Sequence, residues 1–157
     1  MAILTISENR KIMLHRLLIG ISLIWLGMIL GISFLEAPLQ FMAAGVTLQI
    51  GLSIGDLVFG VFNKVECGLA IAIAILVVIT RQKDRQLIPL VVVWSSLALQ
   101  TFWLLPILSD RVELILEGQT PAPSPLHSIY VIIEILKAAA LAVYGFRAFR
   151  NFQLATG

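Results

Sequence analysis

Leu57-Val-Phe-Gly-Val-Phe-Asn-Lys-Val-Glu-Cys-Gly-Leu-Ala-Ile-Ala-Ile-Ala-Ile-Leu-Val-Val-Ile79 is an apolar run interrupted by two charged residues, Lys64 and Glu66. A helix needs about 20 such residues, at 1.5 Å rise each, to cross a bilayer. Three further runs match it in length and character: His15–Leu35, Leu87–Leu108 and His127–Phe146. Backbone groups in hydrocarbon must be satisfied within their own segment, so each run reads as a helix. The expected fold class is all-α. It is an integral membrane four-helix bundle, one four-span domain over residues 1–157, with spans at about 15–35, 57–79, 87–108 and 127–146.

Composition agrees. The hydrophobic fraction is 59% and the charged fraction 13%, with a mean hydropathy of +1.00. A soluble domain carries roughly a quarter charged residues to solvate its surface. The net charge of +2 does not indicate a nucleic-acid partner, because the basic residues sit at the ends of apolar runs rather than in a patch. The expected partner is the lipid bilayer. One cysteine, Cys67, excludes an intrachain disulfide and a multi-cysteine metal site.

Arg10, Lys11 and Arg16 precede the first run, as in a signal peptide. Its end reads Phe34-Leu35-Glu36-Ala37-Pro38, without a small-x-small cleavage site, so it is expected to be a retained helix. Arg10, Lys11, Arg16, Arg81, Lys83, Arg85, Arg147 and Arg150 all fall on one side of the four-span topology. The opposite loops hold Arg111 alone, with Glu36, Asp56, Asp110, Glu113 and Glu117. The positive-inside rule then puts both termini in the cytoplasm or its topological equivalent, and the expected location is the cell membrane.

Residues 36–56 are mostly apolar and read either as an interfacial segment or as an outward extension of the second helix from about Thr47. Pro121, Pro123 and Pro125 forbid continuous helix before the fourth span and read as a stiff loop. Gly27-Met-Ile-Leu-Gly31 and Gly51-Leu-Ser-Ile-Gly55 are small-xxx-small patterns, expected to be helix contact faces.

An ionisable residue at mid-bilayer costs about 2.5–3.5 kcal/mol on insertion scales, so one found there has a partner or a task. The second span carries Asn63, Lys64 and Glu66; the third carries Gln100; Glu36 ends the first. On the fourth, His127, Tyr130, Glu134 and Lys137 follow at i, i+3, i+7 and i+10, one stripe on one face. Asn63 and Glu66 share a face, from which Lys64 points away. Glu66 lies about 14 Å and Glu134 about 10 Å into their spans from the same side. These positions predict a polar pocket in the non-cytoplasmic half, between the second and fourth helices. Its candidate residues for a ligand, ion or proton are Glu66, Glu134, Lys137, His127, Tyr130, Asn63 and Glu36. The structural alternative is a buried tie among Glu66, Glu134 and Lys137 that fixes helix register. Two glutamates and one lysine leave one surplus carboxylate, which either takes up a proton or finds a cation. His127 with Glu66 and Glu134 is a conceivable metal set, but no spacing announces a metal, a cofactor or a phosphate loop.

Ala37-Pro38 followed by Phe41, the Gly55-to-Phe59 entry to the second span, Pro106, Arg111 and His127 carry a resemblance. Together they are similar to the uncharacterised four-helix membrane family that includes transmembrane protein 205. The resemblance implies four spans and carries over no settled biochemical activity, and the chain departs from the family's pattern at Glu66, Glu134 and Lys137. His15, Trp25 and Gly27 more loosely resemble the first helix of HemJ-type and CopD-type four-helix membrane proteins. Here the spacing is longer by about one turn, and His15 lies at the opposite end from the pocket, so porphyrin chemistry is not implied.

Three functions stay open. They are a binding or transport-type role for the pocket, an accessory or assembly subunit packed against a larger membrane complex or a second copy, and a small membrane enzyme.

Overall fold

The computed structural model describes residues 2–82 and 84–156. Lys83, one of the cationic residues that set the expected orientation, lies outside them. Among the described residues all regular structure is helical, arranged as four long rods. The first rod joins α1 (Ala2–Ile29), a π-helical stretch (Leu30–Glu36) and α2 (Ala37–Gln40). The second is α3 (Leu48–Thr80). The third joins α4 (Asp84–Leu99), a second π-helical stretch (Gln100–Leu104) and α5 (Leu105–Leu116), and the fourth is α6 (Leu126–Thr156). Four segments within these rods are long and apolar enough to cross a membrane: Asn9–Gln40, Leu48–Thr80, Leu87–Leu116 and Leu126–Arg150.

The sequence explains where the rods begin and end. Thr47 caps α3, its hydroxyl accepting from the Ile50 backbone N–H at 3.3 Å. Of the two readings of residues 36–56, the outward extension from Thr47 is the one the structure adopts for Leu48 onward. At the end of α5 the Gly118 N–H donates to Ile115 and the Gln119 N–H to Leu114. This closure needs a left-handed residue, and Gly118 supplies it at φ 84°. Beyond it the proline-rich segment is non-helical until Leu126.

Both π-helical stretches lead into a proline. The Ala37 N–H bonds back five residues to Ile32, and the Leu105 N–H five residues to Gln100. Pro38 and Pro106 follow directly. A proline ring collides with the carbonyl four residues back and offers no N–H. A widened turn just before it moves that carbonyl aside.

Neighbouring rods pack in a ring: first on second, second on third, third on fourth, fourth on first. The second and fourth therefore face each other across the bundle axis. The outer surface is apolar, with Ile71, Val78, Phe102, Ile132 and Leu136 all exposed, while Ser22, Asn63, Gln100, Glu134 and Lys137 are buried. That inversion suits a bundle whose solvent is lipid. Two apolar clusters fill the interior. The larger, around Trp25, Ile73, Leu90 and Leu141, lies toward the termini. The smaller, of Leu104, Tyr130 and Ile133, lies toward the far end.

Candidate functional site

Between the two apolar clusters lies a polar network drawn from all four rods. At its centre is Lys137, fully buried on α6. An ammonium has three donors, and Lys137 Nζ has three acceptors: Glu66 Oε1 at 2.6 Å, Gln100 Oε1 at 2.7 Å and Glu134 Oε1 at 3.0 Å. Glu66 Oε1 also accepts from the Trp25 indole at 2.8 Å, and Glu134 Oε1 accepts from Gln100 Nε2 at 3.0 Å. The amide of Gln100 is thus read in one orientation, oxygen toward the lysine and nitrogen toward the glutamate. The opposite orientation would set its N–H donors against the ammonium.

Glu134 Oε2 is different. It is buried and makes no hydrogen bond of ordinary distance and angle, although the Tyr130 hydroxyl lies close to the Glu134 carboxylate. Glu134 lines a cavity of about 470 Å³ that occupies the far end of the bundle. Its walls are largely apolar, contributed by Phe34, Pro38, Leu52, Phe59, Leu108 and Val131 among others. Ser33 and Gln40 also line it, and Ser33 Oγ and Gln40 Oε1 are likewise buried without partners. Asp56, Arg111 and His127 complete the polar lining. Arg111 is held by a 2.6 Å bond from its Nη2 to the Ala122 carbonyl, which ties α5 to the proline-rich segment. Tyr130, one turn from Glu134 on α6, lines the cavity and meets Phe59 edge-on, with ring centroids 5.4 Å apart.

The glycines before the second span shape this cavity. Phe41 lies so close to Gly51 that a β-carbon there would overlap its ring, and Gln40 Nε2 would stand 3.1 Å from a β-carbon at Gly55. The Gly51–Gly55 pattern is therefore a contact face, receiving the chain as it turns away from the first rod. A β-carbon at Gly20, Gly27 or Gly31 would meet no atom within 4 Å outside its own helix backbone, so the first-span pattern is not a contact face within this chain.

The seven candidate residues do not form one group. Glu66, Glu134 and Lys137 come together directly, but of these only Glu134 lines the cavity, with Tyr130 and His127. Asn63 exchanges hydrogen bonds with Thr101, at 2.9 and 3.3 Å. Glu36 is half-buried in the first π-helical stretch, its Oε2 unpartnered, and does not line the cavity. Lys64 is exposed, as its register implies. His127 does not join Glu66 and Glu134 in a metal set; among the described residues no three His, Cys, Asp or Glu side chains do so. The cavity is walled by all four rods rather than by the second and fourth alone.

Sequence reasoning did not identify Trp25 as a partner of Glu66, because an indole is as much at home in packing. Gln100 carried a signal, as an amide in mid-span; Ser33, Gln40 and Thr101 carried none. Of the residues behind the family resemblance, Ala37, Pro38, Phe41, Gly55, Phe59, Arg111 and His127 line the cavity and Pro106 does not. Compared with protein-family models, curated proteins and solved structures, the chain matches none.

Proposed function

We propose that the protein is a multi-pass membrane protein that binds a small amphipathic molecule in the far-end cavity, in a binding or transport-type role. The orientation that goes with this reading has both termini in the cytoplasm, from the distribution of lysine and arginine, so the cavity faces the non-cytoplasmic side. The observation that carries the reading is the buried Glu134 Oε2. A carboxylate oxygen engaged by no protein donor is free to accept from an occupant, and this one borders a cavity within the usual size range of small-molecule sites. A purely structural tie would have used both carboxylate oxygens or filled the space with side chains. The fully satisfied lysine shows that this chain can build such a tie.

Native mass spectrometry from nanodiscs tests it. The probes are single-chain alkyl amphiphiles of one length, bearing an ammonium, a hydroxyl or a carboxylate head. At least one head class should bind saturably, one per chain, and Val131→Trp should abolish binding without lowering the melting temperature, by filling the cavity. Absence of saturable binding by every head class would overturn the reading.

A second reading, of a subunit within a larger membrane assembly, is favoured by one observation. Gly27 is exposed and opens with Gly31 onto empty space, a surface another helix can approach closely.

A further inference from the structure

We infer that the cavity selects an amphiphile with a single cationic, hydrogen-bond-donating head, an ammonium on an apolar body, seated with its head on Glu134. The inference rests on the binding role proposed above and concerns which chemistry that role serves.

Charge comes first. The network holds Lys137 against Glu66 and Glu134, so its fully ionised form carries one surplus negative charge. The lysine has no donor left for Glu134 Oε2, since its three are already engaged. One monovalent cation at the cavity floor balances the count, and a buried charge is tolerable only when paired and hydrogen-bonded.

Hydrogen-bonding capacity comes second. Two of the three unpartnered atoms lining the cavity, Glu134 Oε2 and Gln40 Oε1, only accept when the glutamate is ionised; the third, Ser33 Oγ, can accept. The Tyr130 hydroxyl lies close to Glu134, but its single proton cannot serve all three atoms, so an occupant satisfies this wall by donating. A carboxylate or phosphate head would meet acceptors at the floor.

The walls decide between an inorganic and an organic cation. A hydrated metal ion gains nothing from Phe34, Phe59, Leu108 and Val131, and no three ligating side chains converge among the described residues. An alkyl body gains about 25 cal/mol for each Å² of apolar surface it buries there. From Glu134 to His127 the cavity follows α6 for about 10 Å, room for an apolar body above a floor-bound head.

The same nanodisc measurement, read by head class, tests the inference. In the wild-type protein the alkylammonium should bind about tenfold more tightly than the alcohol or carboxylate of equal chain length, the worth of a charge-assisted hydrogen bond. A short-chain ammonium should bind more weakly than the long one. In Glu134→Gln the amide oxygen can keep the bonds to Lys137 and Gln100 while its NH₂ replaces Oε2 at the cavity. The ammonium preference should then vanish and the acceptor heads should gain. Asp110→Asn, at an exposed carboxylate outside the cavity lining, should leave the preference within about twofold. Equal binding of the three heads in the wild type would overturn the inference while leaving the binding role standing. So would a preference that survives Glu134→Gln, one lost in Asp110→Asn, or a short-chain probe as tight as the long one. Absence of binding by every probe would instead remove the binding role itself.

Discussion

Lys137 is the residue on which the bundle's interior depends. It is fully buried, and its ammonium is tolerated there because every donor ends on an oxygen. Lys137→Ala strands two carboxylates and should destabilise the protein by roughly 3–5 kcal/mol in detergent thermal melts. Glu134→Ala combined with Lys137→Ala should cost less than the sum of the two single changes, because the second removes a charge the first left unpaired. Strict additivity would mean the two side chains do not interact. Much of this arrangement was legible in the sequence. Glu66, Glu134 and Lys137 stand out because charge is rare in a span, and helical spacing with matched depth brings them to one level. Which oxygen meets which donor was not legible. That depends on the Trp25 indole, an ordinary packing residue until a partner is placed beside it, and on which way the Gln100 amide is turned, which no spacing records.

At the scale of the element, the two small-residue patterns show what spacing alone can and cannot say. Both offer glycines four apart, yet one is packed within the chain and the other is open. The difference lies in what the fold brings opposite. Phe41 and Gln40 turn back onto Gly51 and Gly55, while nothing within 4 Å faces Gly27 or Gly31. Gly51→Ala should therefore push the Phe41 ring out of the cavity wall and cost about 1 kcal/mol, the lower end of overpacking. Gly27→Ala should stay within about 0.5 kcal/mol of the wild type in dilute detergent, where no second chain is close. Equal effects at the two positions would contradict the packing described. The widened turns were also hidden from the sequence reading. Proline disfavours a continuous helix, so Pro38 and Pro106 mark the places, but an interruption can be a kink, a break or a π turn. Only the backbone shows that the chain takes the third course, in the two rods that carry Ser33 and Gln100.

Across the whole molecule, the four rods divide into a packed half toward the termini and a hollow half at the other end, with the polar network between them. The network serves both halves. It satisfies its own charges, locks one residue or more from each rod, and presents one unsatisfied oxygen to the hollow. The number and order of the spans were legible because hydropathy over about 20 residues reports directly on lipid as solvent. The cavity was legible only in its depth and in part of its lining. Its apolar walls come from ordinary hydrophobic residues whose distinction is what they fail to touch, and no linear pattern records that. Thiol accessibility in intact cells measures the central claim, a cavity open to the non-cytoplasmic side and floored at Glu134. In a Cys67→Ala background, single cysteines replace Pro123 in the far-end loop, Val131 in the cavity wall and Ala138 just beyond the network. A small membrane-impermeant cationic methanethiosulfonate reagent added outside should modify Pro123→Cys and Val131→Cys and leave Ala138→Cys unmodified. Reaction at Pro123→Cys without reaction at Val131→Cys would contradict an open cavity, and reaction of either only after the cytoplasmic face is exposed would contradict the orientation.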